Sequence, residues 1–121
     1  MIKEPDGIPK SSTEVTTTDQ TVTPTQMQEN AKLAAAFLKT VAHEGRLMTL
    51  CHLGSGEKSV GELEKLLEMR QAAVSQILAR LREEGRVKTR REGKTIFYSL
   101  ADEKTRELID LLYRQFCNPG K

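Results

Sequence analysis

The stretch Arg70-Gln71-Ala72-Ala73-Val74-Ser75-Gln76-Ile77-Leu78-Ala79-Arg80-Leu81-Arg82-Glu83-Glu84 decides the fold. Val74, Leu78 and Leu81 recur at i, i+4 and i+7, the spacing of a core-facing helical stripe, with Ile77 beside them. The other face carries Gln71, Ala72, Ser75, Gln76, Ala79 and Arg82. Ordinary solvent faces are rich in Glu and Lys, so small and amide side chains ending on a base make an unusual one. They suit a helix in a DNA major groove, where an amide reads adenine edges while hydroxyls and guanidiniums hold phosphates. A solvated amphipathic helix is the competing reading, and the neighbouring segments decide between the two.

Immediately upstream, Ser59 with Glu62 three residues later forms a capping box, and Leu63, Leu66 and Leu67 give the helix it opens a buried stripe. Met69-Arg70 is a short turn into the central helix, so the pair reads as a helix-turn-helix. Downstream, Gly85 follows the last apolar position and fits a left-handed helix cap. Val87 to Leu100 is β-rich and folds about Glu92-Gly93 as a hairpin. Pairing Arg91 with Lys94 sets Val87 opposite Tyr98 and Thr89 opposite Ile96, with Arg90, Arg91 and Lys94 at the tip. A basic hairpin directly after a reading helix is a wing. Asp102 caps a last helix from Glu103 to about Phe116, with Leu108, Ile109, Leu111, Leu112 and Phe116 on its apolar face, and Asn118-Pro119-Gly120 ends it.

Further upstream, Gln26 to Val41 has a helical face of Leu33, Ala34, Phe37, Leu38 and Val41. His43-Glu44-Gly45 breaks the pattern, a second helix runs from Arg46 to Leu53, and Gly54 to Glu57 is a loop. Residues 1–25, rich in Thr, Ser, Pro and Asp, read as a disordered tail, 26–118 as the folded domain and 119–121 as a short C-terminal tail. The fold class expected is mainly α with a β-hairpin wing, in the order α-α-α-α-β-β-α.

The chain of 121 residues makes one domain with a modest core. It has no apolar run near the length of a membrane span and no secretory pattern, so a cytoplasmic protein with reduced cysteines and no membrane partner is expected. The net charge of +2 hides an asymmetry. Between Arg70 and Lys94 eight Lys or Arg stand against three Glu, a local excess of +5 that leaves −3 for the rest. Clustered positive charge on a near-neutral chain is the footprint of a polyanion. The residues assigned to double-stranded DNA are Arg70, Gln71, Ser75, Gln76 and Arg82 on the helix, with Lys88, Arg90, Arg91 and Lys94 on the wing.

This order of elements resembles the ArsR family of dimeric winged-helix repressors. The likeness is carried by Val74-Ser75-Gln76 with Leu78 and Leu81-Arg82-Glu83-Glu84-Gly85, then Gly93-Lys94 and Tyr98-Ser99-Leu100, and it spans roughly Gln28 to Cys117. Arg70, where the family often has a small polar residue, and Ile77, at an often polar position, depart from the pattern. Within the family the chain looks most like the sulfide- and persulfide-responsive SqrR/BigR type. Their two sensing cysteines occupy the second and last helices, the places of Cys51 (in Leu50-Cys51-His52-Leu53) and Cys117 (in Leu112-Tyr113-Arg114-Gln115-Phe116-Cys117). The resemblance implies an operator-binding homodimer built on the first and last helices, through Leu33, Phe37, Val41, Leu108, Ile109 and Leu112. It also implies a reactive sulfur species as inducer, bridging Cys51 to Cys117 and releasing the operator.

A thiolate is the nucleophile, so positive neighbours matter. Cys51 has His52 beside it and Arg46 slightly over a turn earlier, which favours Cys51 as the first to attack. Cys117 sits at a helix C-terminus, where the dipole disfavours an anion while Arg114 opposes it, and Tyr113 lies one turn before. No cofactor is expected. Three alternatives stay open: a zinc-type sensor using Cys51, His52, His43 and Cys117, although that spacing fits no standard site; inert buried thiols; and a redox-insensitive module that meets an acidic protein. Paired carboxylates, a Ser/His/Asp set and a phosphate-cradling glycine loop are all missing, so an enzyme is not expected.

Overall fold

The structure, a computed structural model, describes residues 21–117. The readings of residues 1–20 as a disordered tail, and of Asn118-Pro119-Gly120 and the C-terminal tail, lie outside them. The elements are α1 (Pro24–Val41), α2 (Glu44–Leu53), β1 (Lys58–Ser59), α3 (Val60–Leu67), α4 (Gln71–Glu83), β2 (Val87–Glu92), β3 (Thr95–Leu100) and α5 (Glu103–Phe116). This is a winged helix-turn-helix with the helical order expected and one additional short strand.

The chain divides into a unit ending at Ala36 and a unit beginning at Phe37. In the first, α1 starts two residues earlier than its apolar period shows. Thr23 and Gln26 cap it reciprocally: Gln26 N donates to Thr23 Oγ1 at 3.1 Å and Thr23 N to Gln26 Oε1 at 2.9 Å. Pro24 takes the first helical position, where its missing N–H costs nothing.

The second unit holds the core. Leu50, Leu53, Leu63, Val74, Leu78, Leu81 and Ile109 are all at most 1% exposed, and Phe37, Val41, Leu67, Val87 and Leu100 join them. Each such side chain contributes about 1.5–3 kcal/mol by leaving water. The α4 stripe is therefore as the period predicts. Leu66 is not: it is 45% exposed, because Leu63 and Leu67 one turn apart already fill the buried line. The break in the helical pattern expected at His43-Glu44-Gly45 is narrower than that, since α1 ends at Val41 and α2 begins at Glu44. His43 caps α2, its Nδ1 accepting from Arg46 N at 3.3 Å, and Gly45 is a buried residue inside the helix. A Cβ at Gly45 would stand 3.2 Å from Ile77 Cδ1, so glycine lets α2 approach α4 closely.

Local signals elsewhere work as read. Ser59 and Glu62 form the capping box, and Asp102 accepts from Thr105 N at 2.8 Å. Gly85 adopts φ +75°, with Arg86 N donating to Leu81 O at 2.8 Å and Gly85 N to Arg82 O at 3.0 Å, the paired bonds of a Schellman cap.

The wing is antiparallel, but its register differs by two residues from the one expected. Val87 pairs with Leu100, Thr89 with Tyr98, Arg91 with Ile96, and Glu92 with Thr95. The loop is therefore Gly93-Lys94. Gly93 has φ +64° while Lys94 does not enter that region, the pattern of a II′ turn with glycine first. A shift of two keeps each side chain on its face, so Val87 remains buried. A third strand, β1, lies on the other edge of β3, pairing Lys58 with Tyr98 and Ser59 with Phe97.

Gly85→Ala isolates the backbone cost of ending α4, since nothing lies within 4 Å of the added Cβ. The expected loss is about 1–2 kcal/mol, the penalty of a left-handed non-glycine residue, seen as a lower denaturant midpoint at unchanged slope. An unchanged midpoint would show that this cap does not hold the helix end.

Candidate nucleic-acid interface and thiol pocket

Burying Val74, Leu78 and Leu81 turns the opposite face of α4 outward, and Arg70, Gln71, Ser75, Gln76 and Arg82 are all exposed. An open groove of about 590 Å³ runs along that face, lined by Ser75, Gln76, Ala79, Arg80, Arg82, Glu83 and Tyr98. Tyr98 comes from β3 and brings a phenol to the groove beside the amide and hydroxyl. The strand pattern alone gives Tyr98 no such place, because the groove forms only where β3 meets α4 in the fold. At the start of α4, Arg70 has extended backbone (φ −73°, ψ 156°) and makes no side-chain cap. The first amides of α4 thus have no side-chain acceptor from that position, and a helix N-terminus with open amides favours a phosphate.

The eight bases between Arg70 and Lys94 separate into two sets. Arg80 pairs with Glu84, and Arg86 lies over the Phe37 ring at 4.2 Å. Arg90, expected at the wing tip to grip phosphate, is held by two carboxylates. It pairs with Glu57, its Nε 3.2 Å from Oε2 and a second nitrogen on Oε1, and its Nη1 stands 2.8 Å from Glu92 Oε1. Its guanidinium also lies 4.9 Å from the centre of the Phe97 ring. The hydrogen bonds that Arg90 donates to Glu57 and Glu92 push its pKa further up, and the bond from Arg90 pulls that of Glu57 down. Arg70, Arg82, Lys88, Arg91 and Lys94 are exposed and have no carboxylate partner among the described residues.

A polar clasp joins three helices behind the reading face. Thr40 of α1, 3% exposed, donates through Oγ1 to Glu84, which also takes Arg80, and Arg46 Nε donates to Thr40 O at 2.8 Å. The Thr40 hydroxyl is the main cause holding the Glu84 carboxyl below its ordinary range, followed by the Arg80 bond. This corrects the expected place of Arg46: its side chain goes to α1 and Glu84, not to Cys51.

Cys51 is half-buried on α2, and Cys117 is exposed at the C-cap of α5. Burial pushes the Cys51 thiol up from its ordinary value, and Cys117 lies close enough for its charge to push the same way. Of the two basic neighbours expected to activate this half-buried thiol, Arg46 turns to Thr40 and His52 remains beside it in the pocket described next. Beside Cys51 is a pocket of about 440 Å³, lined also by His52, Gly54, Ser55, Ile109, Asp110 and Tyr113. Arg114 is exposed and does not line it. Among the described residues no three His, Cys, Asp or Glu side chains gather as a metal site.

The six side chains expected at a dimer interface separate in the same way. Phe37, Val41 and Ile109 are 9%, 6% and 1% exposed within one protomer, and Leu108 and Leu112 pack partly against its core. Leu33 is 70% exposed, and on α5 Leu111 and Phe116 are 42% and 82% exposed. The first three are core residues, with little surface left for a partner.

Comparisons with known proteins agree with this architecture. Residues 43–89 match the family described as bacterial regulatory protein, arsR family. The chain is 54% identical over 93 residues to the biofilm growth-associated repressor of Agrobacterium fabrum, covering 77% of this chain and 80% of that one. It is 46% identical over 96 residues to the transcriptional activator HlyU of Vibrio cholerae, covering 79% and 89%. Among solved structures, the transcriptional repressor BigR from Xylella fastidiosa superposes with a TM-score of 0.74 at 45% identity, covering 82% and 98%.

The two causes acting on Cys51 can be separated by its alkylation rate against pH. Because thiolate is the reactive form, a raised pKa delays the rise in rate to a pH above that of an ordinary thiol. Cys117→Ser should move the Cys51 midpoint down without restoring the ordinary value, since burial is the larger cause. An identical midpoint in the variant would show that the two thiols do not sense each other.

Proposed function

The chain belongs to the arsR family of bacterial regulatory proteins, and we propose that it is a dimeric, operator-binding transcriptional repressor released by reactive sulfur. The observation that carries the DNA reading is the exposed α4 face of Gln71, Ser75, Gln76 and Arg82, flanked by a wing whose Lys88, Arg91 and Lys94 have no carboxylate partner among the described residues. Amides read base edges, and bases without carboxylates cost little to move onto phosphates. The exposed Leu33, Leu111 and Phe116 are apolar surface for a second copy. A two-fold dimer places its reading helices about one DNA turn, roughly 34 Å, apart on a near-palindromic site.

The folded domain expected at residues 26–118 begins earlier, at Pro24, and residue 118 lies outside the described residues. The inducer chemistry uses Cys117 and then Cys51. Cys117 thiolate attacks the outer sulfur of a persulfide R–S–SH; the S–S bond breaks and RS⁻ leaves. A second transfer builds Cys117–S–S–SH. Cys51 thiolate attacks its middle sulfur, the terminal S–S bond breaks, and hydrosulfide leaves. The product is a bridge with one inserted sulfur, and the sulfane sulfur is itself the electron acceptor. Each inserted sulfur adds roughly one S–S bond, near 2 Å, to the reach of the link. A bridge between α2, which packs on α3 and α4, and α5 alters the angle between reading head and dimer axis. Such a bridge shifts DNA affinity only through a difference between its two states.

Two sets of variants test this reading. Gln76→Ala should cost roughly 1–3 kcal/mol at one operator position and relax preference there. Arg91→Ala should weaken binding to every sequence and flatten the salt dependence by about one phosphate. Arg90→Ala should do less, because its carboxylate partners already compete for it. Equal losses on operator and random DNA for Gln76→Ala would remove α4 as the reader, and salt-independent binding would favour an acidic protein partner.

For the switch, Cys51→Ser and Cys117→Ser should each still bind operator yet fail to release it with a persulfide donor. Peroxide, which can supply only the shorter disulfide, should act more weakly on the native protein. Persulfide-induced release surviving in either variant contradicts the two-thiol bridge.

A further inference from the structure

We propose that the pocket between α2 and α5 is a binding site for the organic half of a persulfide, and that Asp110 selects carriers bearing an ammonium group. The inference rests on the sulfur-transfer reading above and names the class of donor it uses. Size is the first argument. Inorganic sulfur brings only a few atoms, and even a water molecule claims about 30 Å³ of liquid volume. The pocket of about 440 Å³ beside Cys51 is an order of magnitude larger and falls in the range of small-molecule sites.

Chemistry is the second argument. Ile109 and the Tyr113 ring give the pocket an apolar wall, and Ser55 and His52 offer hydrogen-bonding groups. Among the described residues, Asp110 supplies the one carboxylate on its wall. Asp110 has no ion pair among the described residues. Arg106, one turn earlier on α5, instead donates to Gly54 O at 3.2 Å, and Arg114, one turn later, does not line the pocket. A polysulfide dianion approaching here meets a like charge, whereas an ammonium group meets an opposite one. A seated carrier R–S–SH presents its outer sulfur near Cys117, one turn beyond Tyr113. Cys117 thiolate takes that sulfur, the S–S bond breaks, and the carrier leaves as its thiol, clearing Cys51 for closure of the bridge.

The test compares initial rates of sulfur transfer to the full chain from three donors, read by intact mass after alkylation. The donors are cysteamine persulfide, mercaptoethanol persulfide and inorganic tetrasulfide. The native protein should prefer the ammonium carrier over the neutral one by on the order of three- to tenfold, the range of one partly screened charge pair. Asp110→Asn should abolish that preference and speed the tetrasulfide reaction, and Asp110→Lys should invert the order of ammonium carrier and tetrasulfide. Equal native rates for the two organic carriers, or a preference that survives Asp110→Asn, overturns the site. Failure of every donor to form a Cys51–Cys117 bridge overturns the sulfur-sensing reading itself, and the site with it.

Discussion

Everything the molecule presents to a partner depends on the burial of three side chains. Val74, Leu78 and Leu81 are held at 0%, 1% and 0% exposure against α2, α3 and the wing. With that line fixed, helical geometry leaves no choice about where Gln71, Ser75, Gln76 and Arg82 point. The close approach of α2 at Gly45 and the Schellman cap at Gly85 fix the rest: one sets how α4 sits, the other where the chain leaves it for the wing. A polar reading surface is thus produced by an apolar constraint on its reverse side.

Charge is distributed with the same economy. Of eight bases in the Arg70–Lys94 segment, three are engaged by Glu84, by Phe37, and by Glu57 with Glu92. The other five, without a carboxylate partner among the described residues, lie at the start and exposed face of α4 and on the wing. Exposed ion pairs contribute little to stability, so the Glu57–Arg90–Glu92 group acts chiefly on geometry, linking the loop before β1 to the strand β2. The Thr40–Glu84 bond does the comparable task at the other end, tying α1 to the last turn of α4.

Most of this fold was legible in the sequence because its signals are local. Ser59 with Glu62, Asp102, Gly85 and the Val74–Leu78–Leu81 period each act within a few residues. What was not legible depends on distance or on a choice between near-equal local options. The wing register turns on whether Glu92-Gly93 or Gly93-Lys94 forms the loop, and a glycine with positive φ at 93 suits either; the pairing of Glu92 with Thr95 makes it the second. Strand β1 has only two residues, too few to carry any period. Glu57 and Arg90 are 33 residues apart, so the capture of Arg90 left no trace in the pattern. For Phe37, Val41 and Ile109 the period marked apolar positions correctly but could not tell the protomer's own core from a partner's surface. At the thiols, the sequence neighbours of Cys51 point to activation, whereas the fold turns Arg46 away and half-buries the sulfur against the core.

The switch requires that a half-buried thiol, Cys51, and an exposed one, Cys117, end in one covalent link. Its most direct measurement is the intact mass of the reduced protein after a persulfide donor, with peptide mapping of the linkage. The account predicts a product that has gained whole sulfur atoms and lost two hydrogens, with Cys51 and Cys117 in one cross-linked pair of peptides. Sulfur confined to the exposed Cys117, with Cys51 still alkylatable, would contradict it.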